Sequence, residues 1–181
     1  FAMSVFADIE GHRVGYTGHG CGNLTGVDVR TGKPLWRFQF AKGGINSQIL
    51  KYGNDKIIAI HGKENVDNTA KGRLVCIKVP TTYNAGAQIL LNPDVEVWRN
   101  EEHVAFTSSP VLVGDRVYST IATGELIWVD AKTGKTVWKM KLGPGVDPAA
   151  LEPIDAYDLV HAHPVTPSDA RDTLSAAHGV E

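Results

Sequence analysis

Long apolar runs, blocks of basic residues and a cysteine framework are all missing from this sequence. No apolar run approaches the roughly 20 residues that a membrane-spanning helix needs. No Lys/Arg block stands out and the formal net charge is −2, so the electrostatic footprint of a protein that binds nucleic acid or anionic lipid is missing. We therefore expect no transmembrane segment and no nucleic-acid partner.

Cysteine is scarce, with Cys21 in a Gly-rich turn and Cys76 in the apolar run Leu74-Val75-Cys76-Ile77. Two isolated cysteines make neither a disulfide framework nor a zinc site. We interpret Cys76 as a buried small hydrophobe and Cys21 as a turn thiol. The chain opens in strand-like sequence without a visible signal peptide, and we expect the true N-terminus to lie upstream, so the compartment stays open.

Glycine, by contrast, is abundant, and an internal repeat is plain. Residues 26–38 and 128–140 are identical at six of thirteen aligned positions. The shared positions include Asp28, Thr31, Gly32, Lys33 and Trp36 in the first copy and Asp130, Thr133, Gly134, Lys135 and Trp138 in the second. Asp-x-x-Thr-Gly predicts a tight hairpin, because Asp and Thr bond nearby amides and Gly supplies a positive φ. The Trp that follows is suited to packing between stacked sheets.

A degraded middle copy lies between these two. Residues 72–77 match residues 124–129, but Lys78 replaces the turn Asp and the Thr-Gly hairpin is gone. A loop over residues 81–94 adds 12 residues before the strand resumes and ends in Trp98. The first half of each unit is a strand, a turn and a second strand, most clearly around Gly114-Asp115.

Each unit is thus four short strands with a terminal Trp, and a period of about 40 residues is typical of a propeller blade. We predict an all-β fold, a partial β-propeller of about three four-stranded antiparallel blades plus the start of a fourth. The blades span roughly residues 1–40, 45–100 and 105–143, within a repeat region of residues 1–143. Residues 144–181 are predicted to hold a linker, the start of a further blade and an irregular tail.

The two complete motifs resemble the tryptophan-docking motif of the pyrroloquinoline-quinone-like (PQQ-like) propeller family, with Gly26 and Trp128 in place of the family's Ala. That family includes quinoprotein alcohol dehydrogenases and a lipoprotein of the outer-membrane β-barrel assembly machine. The resemblance implies structural roles for Asp28, Thr31, Gly32, Trp36, Trp98, Asp130, Thr133, Gly134 and Trp138. It predicts that Trp36 is buried between its own sheet and a neighbouring one, touching the Thr-Gly hairpin region.

The function implied is a non-catalytic scaffold that binds protein or peptide in the periplasm or another extracytoplasmic compartment, because such propellers offer loops and strand edges as docking surfaces. The alternative is a fragment of a PQQ-dependent dehydrogenase whose catalytic residues lie outside this chain. Cys21 and Cys76 are not the adjacent pair of the alcohol dehydrogenases, and no residue matches the family's Asp base. We therefore assign no catalytic residue, no cofactor-binding residue and no cofactor.

Other chemistry is weakly supported. Residues 64–68, Glu-Asn-Val-Asp-Asn, are the best metal candidate because their oxygens suit Ca²⁺, but the spacing favours a solvated hairpin loop. His19-Gly20-Cys21 and His161-Ala162-His163 lack the spacing of a metal site, so we predict no metal site. Trp128, in the small-residue slot, either fills space against the neighbouring blade or faces the central channel.

The end of the sequence departs from the repeat. Residues 159–165 are similar to another blade opening, whereas residues 166–181 have no returning strand and no docking Trp. We expect the chain to be a fragment, or one whose reading frame departs from the original, with a flexible tail or a short helix over residues 169–177. Because about three blades do not close a ring, we expect the open blade faces to make the isolated chain self-associate or leave it only marginally stable.

Overall fold

The strands are short and separated by turns, as the repeat predicts. A computed structural model describes residues 3–142, and within this range no α-helix occurs. One 3-10 turn, Pro93–Val95, precedes β9. The strands are β1 (Val5–Ile9), β2 (His12–Gly18), β3 (Asn23–Asp28), β4 (Pro34–Gln39), β5 (Leu50–Tyr52), β6 (Lys56–His61), β7 (Arg73–Lys78), β8 (Ile89–Leu90), β9 (Glu96–Asn100), β10 (Val111–Val113), β11 (Arg116–Ile121), β12 (Glu125–Asp130) and β13 (Thr136–Lys141).

These strands form three sheets, which we call blades 1, 2 and 3. Blade 1 has the order β1-β2-β3-β4-β8, blade 2 has β5-β6-β7-β9, and blade 3 has β10-β11-β12-β13. Blades 2 and 3 are four-stranded antiparallel meanders, as expected. The predicted all-β partial propeller is confirmed, whereas the limits of the predicted domains, including everything after residue 142, stay predictions.

Blade 1 differs from the expected four strands. The loop between β7 and β9, which belongs to blade 2 in sequence, contributes β8, and β8 pairs in parallel with β4. Trp36 lies opposite Ile89 and Arg37 lies opposite Leu90 in this pairing. The sequence predicts four antiparallel strands in the first sheet, because it shows the 12-residue insertion only as a loop.

The two Asp-x-x-Thr-Gly hairpins fold alike. In blade 3 the Asp130 carboxylate accepts the Thr133 backbone N–H at 2.8 Å, and Gly134, at φ 71°, donates its N–H to the Asp130 carbonyl. In blade 1 the Asp28 carboxylate accepts the backbone N–H of Thr31 at 2.8 Å, with φ 72° at the glycine that follows it. A side-chain acceptor and a left-handed residue thus close both turns.

Burial explains the different patterns of the strands. In β6 and β7 nearly every residue is buried, because alternate side chains face the two neighbouring blades. Ile57, Ala59, Val75 and Ile77 pack in a core with blade 1, whereas Ile58, Ile60, Leu74 and Cys76 pack in a core with blade 3. Strand β12 instead alternates buried and partly buried residues, since only one face meets a described neighbour.

Candidate functional sites: tryptophan contacts, insertion and inter-blade slot

Trp98 sits on the hairpin of the following blade. Its indole Nε1 donates a hydrogen bond to the Ala131 carbonyl at 2.8 Å. The six-membered ring covers Gly134, where a Cβ would lie 2.4 Å from Trp98 Cε3, and Asn100 Nδ2 donates to the Gly134 carbonyl at 2.8 Å. Gly134 therefore serves two purposes: it adopts the positive φ of the hairpin, and its missing side chain leaves room for Trp98 of the preceding blade.

Trp36 occupies the same position in blade 1 but meets a different partner. It is 1% exposed and lies in the core between blades 1 and 2. A Cβ on Gly26, its cross-strand partner, would lie 2.2 Å from Trp36 Nε1, which explains the missing side chain there. Blade 2 has no Thr-Gly hairpin to receive this ring. Instead, Trp36 lines a small cavity together with Pro80 of blade 2 and with Thr82 and Ile89 of the insertion.

Trp138 and Trp128 lie on the face of blade 3 that points away from blade 2, where no further blade follows among the described residues. Trp128 is directly opposite Tyr118 on one side and Trp138 on the other, so the three rings share one face of blade 3. All three are partly buried, Tyr118 stacks near Trp128 with ring centroids 6.4 Å apart, and the Arg116 guanidinium lies 5.2 Å from the Trp128 ring. This is the face that packs against the next blade in blades 1 and 2. Trp128 therefore lies on the neighbour-facing side.

The insertion is fixed to blade 1 by polar and aromatic contacts. Tyr83 stacks on His12 with ring centroids 3.5 Å apart, and its hydroxyl donates to the Asp28 carboxylate at 2.6 Å. This hydrogen bond, with those from Thr31, lowers the pKa of Asp28 to about 2. The Tyr83 N–H also donates to the Glu10 carboxylate at 3.1 Å. The segment is an ordered part of blade 1. Sequence reasoning missed it because its partners lie 50 or more residues away.

An open slot of about 370 Å³ lies between blades 2 and 3, beside β9 and the Asp130 hairpin. Its lining comprises Tyr52, Gly53, Lys56, Val97, Ala131 and Lys132. The Tyr52 hydroxyl donates to the Asp115 carboxylate at 2.7 Å. Burial and this carboxylate raise the pKa of Tyr52 to about 12. Lys132 pairs with the same carboxylate, so the slot has an apolar side at Val97 and a charged rim.

The segment considered for Ca²⁺ is part of an ion-pair network. Burial opposes ionisation of Asp67, but hydrogen bonds from Arg73 and Arg99 lower its pKa to about 2. Asn65 turns inward and donates to the Gly62 and Lys71 carbonyls. Within residues 3–142 no group of three or more His, Cys, Asp or Glu side chains could hold a metal ion. The Asp67 carboxylate therefore binds two strands of blade 2, and the Asn65 amide joins the two ends of the loop.

The remaining candidates are dispersed. His19 Nε2 lies 2.7 Å from the Thr25 hydroxyl, whereas His161 and His163 fall outside the described residues. Cys21 is exposed and Cys76 is buried, and burial raises the pKa of the Cys76 thiol to about 12. In the part of the chain that the structure describes, no helix is long and apolar enough to cross a membrane.

Two sequence comparisons relate this chain to the outer membrane protein assembly factor BamB. Residues 85–171 match the PQQ_2 family model, described as outer membrane protein assembly factor BamB. The outer membrane protein assembly factor BamB of Burkholderia pseudomallei (strain K96243) is 50% identical over 38 residues, which are 21% of this chain and 10% of that protein. The chain thus spans about a tenth of that curated relative.

Two solved propellers are similar in fold. The crystal structure of BamB from Moraxella catarrhalis matches with a TM-score of 0.50 and 24% identity, over 75% of this chain and 36% of that one. The β-propeller domain of Cps50 (Swd1) from Myceliophteria thermophila matches with a TM-score of 0.52 and 16% identity, over 78% and 42%. At these identities the likeness shows the fold alone. Together with the family match over residues 85–171, it confirms that this chain resembles the PQQ-like β-propeller repeats.

Proposed function

We propose that this chain is a non-catalytic propeller scaffold that binds protein or peptide outside the cytoplasm. The observation that carries the proposal is the match of residues 85–171 to a family described as an outer-membrane assembly factor. A scaffold of this kind acts through exposed strand edges and loops, to which an extended segment of a partner can add. Among the described residues, β9 of blade 2 is such an edge.

The charges of the described residues favour the same role. The carboxylates with lowered pKa values close hairpins or pair with arginine and lysine, as Asp130 and Asp67 do. His103 is fully buried against the Thr136 hydroxyl at 2.7 Å, between blades 2 and 3. Asp130 thus stabilises a hairpin, Asp67 a loop of blade 2, and His103 the junction of blades 2 and 3.

Photo-crosslinking in cells tests the proposal. The full chain, exported to the cell envelope, would carry a crosslinking amino acid at an exposed edge position such as Val97 or at an exposed loop such as the one around Asn84. We expect discrete adducts with a protein of the outer-membrane assembly machinery. The absence of discrete adducts from every position would contradict the scaffold.

An activity assay addresses the alternative, a dehydrogenase fragment. We expect the purified chain to show no dye-linked alcohol or sugar oxidation when PQQ and Ca²⁺ are supplied. Turnover above a heat-killed control would overturn the non-catalytic part of the proposal.

The outer faces of blades 1 and 3, on which no further blade packs among the described residues, support self-association as a second element of the proposal. The outer face of blade 3 carries Tyr118, Trp128 and Trp138, and the outer face of blade 1 carries Phe6, which is 47% exposed. Apolar faces of this kind drive association when no neighbour covers them. We expect the mass from size-exclusion chromatography with light scattering to rise with concentration, and Trp138→Glu to reduce that rise. A monomeric mass at every concentration would refute self-association.

A further inference from the structure

The fourth strand of every blade carries one bulged residue, and the three bulged residues differ in exposure. The cross-strand register skips Leu35 in β4, Val97 in β9 and Val137 in β13. Leu35 is 6% exposed, whereas Val97 is 41% and Val137 is 48% exposed. The positions are equivalent, since each immediately precedes the blade's tryptophan. Something therefore covers the outer edge of blade 1 that does not cover the other two.

The cover in blade 1 is the insertion. Strand β8 adds to the outer edge of β4, and the Leu91 N–H donates to the Arg37 carbonyl at 2.8 Å. The space beside Leu35, bordered by Trp36, Pro80 and Ile89, is reduced to about 10 Å³. The chain thus shows an extended Ile-Leu segment bound in parallel to a fourth strand.

Blade 2 repeats this geometry without the cover. Val97 takes the place of Leu35, and Trp98 and Arg99 follow it as Trp36 and Arg37 follow Leu35. Lys132 lines the space next to Val97, as Pro80 lines the space next to Leu35, and both belong to the blade that follows. That space has about 370 Å³ here, and β9 is an edge strand of its sheet among the described residues.

We propose that the outer edge of β9 and the slot beside Val97 bind an extended aliphatic segment of a partner protein, which adds as a parallel strand. This site rests on the proposed scaffold function and gives it a location and a ligand class. The expected segment carries a large aliphatic residue at the place of Ile89, which lines the space beside Leu35 and whose equivalent would lie beside Val97. Its backbone would bond the Arg99 carbonyl, as Leu91 bonds that of Arg37.

A separate partner is the expected occupant, because the insertion of a second copy of this chain is already paired with its own β4. The edge charges permit the addition. Arg99 pairs with Glu96 at 2.6 Å and with Asp67, and the equivalent Arg37 coexists with β8 at the edge of blade 1. An uncovered edge with an exposed apolar residue is also the kind of strand that proteins otherwise protect.

A peptide copied from the insertion is the probe. The segment Asn84 to Asn92, capped at both ends, would be titrated into the ¹⁵N-labelled full chain. We expect saturable shifts of the Trp98 indole N–H and of the backbone amides of β9. Val97→Glu should weaken binding by about tenfold or more, because it places a charge where an aliphatic contact is expected. A peptide with glycine at both the Ile89 and Leu90 positions should not bind.

Val137→Glu is the matched control, because it changes the equivalent bulged residue of β13 and leaves β9 intact. It should leave the affinity unchanged, and both variants should melt within a few degrees of the wild type. Absent saturation, shifts confined to β4, or equal weakening by both variants would overturn the site. If crosslinking then still captured a partner through other positions, the scaffold function would stand and only this site would be wrong.

Discussion

The contact between Trp98 and Gly134 allows a matched test of tryptophan docking. Gly32 and Gly134 occupy the same hairpin position with φ of 72° and 71°, yet nothing lies within 4 Å of a Cβ on Gly32. At Gly134 that Cβ would come within 2.4 Å of Trp98 Cε3. Gly32→Ala therefore reports the backbone strain alone, and Gly134→Ala reports the same strain plus the displacement of Trp98.

The expected magnitudes follow from these contacts. The left-handed conformation costs an alanine about 1–2 kcal/mol at either position. Lifting Trp98 also breaks its hydrogen bond to the Ala131 carbonyl, about 1 kcal/mol, and loses part of its apolar burial, about 1–2 kcal/mol. We expect Gly134→Ala to destabilise the chain by about 2–3 kcal/mol more than Gly32→Ala, or roughly 6–10 °C in the melting midpoint.

Urea unfolding followed by circular dichroism measures this difference. Repeating both substitutions in a Trp98→Ala background completes a double-mutant cycle, in which the excess cost of Gly134→Ala should vanish. Equal costs of the two glycine substitutions in the wild-type background would refute the docking role.

Three further predictions follow from burial. Trp36→Ala should lower the free energy of unfolding by about 3–5 kcal/mol, because the ring is almost fully buried; an unchanged melting midpoint would contradict its packing role. In the native chain a thiol reagent should modify the exposed Cys21 and reach Cys76 only after denaturation, as mass spectrometry would show. Burial lowers the pKa of His61 and His103, so the unfolded chain binds protons more readily and stability should fall as the pH drops below about 6.5. Replacing both with Gln should flatten the pH dependence of the melting midpoint, and an unchanged slope would argue against this linkage.

The repeat could be predicted from the sequence because its turns depend on short, recognisable residue patterns. Gly114 has φ 58°, as the Gly-Asp turn requires, and the Asp-x-x-Thr-Gly motifs gave both complete hairpins. These structures depend on a few neighbouring residues, so the sequence predicts them well. The two-sided burial of β6 and β7 is likewise visible as continuous apolar runs.

The insertion could not be predicted in the same way. Strand β8 is only Ile89–Leu90, too short to show a period, and its partner β4 lies in another blade. Tyr83 reaches Asp28 across 55 positions, and no local pattern encodes that distance. The slot beside Val97 was missed for the same reason, because it becomes visible only when equivalent blades are compared in three dimensions.

The pairing of β8 with β4 also bears on how the chain acquires its structure. In a repeat array, stability is approximately the sum of each unit and its contacts with the next. Blades 1 and 2 share a core, a strand pairing and the Tyr83–Asp28 bond, whereas blades 2 and 3 share a core and hydrogen bonds from Trp98, Asn100 and Tyr52 but no strand pairing. The edge of blade 1 is completed only after residue 91 has been synthesised. The first two blades should therefore form as one cooperative unit during translation, with blade 3 adding later.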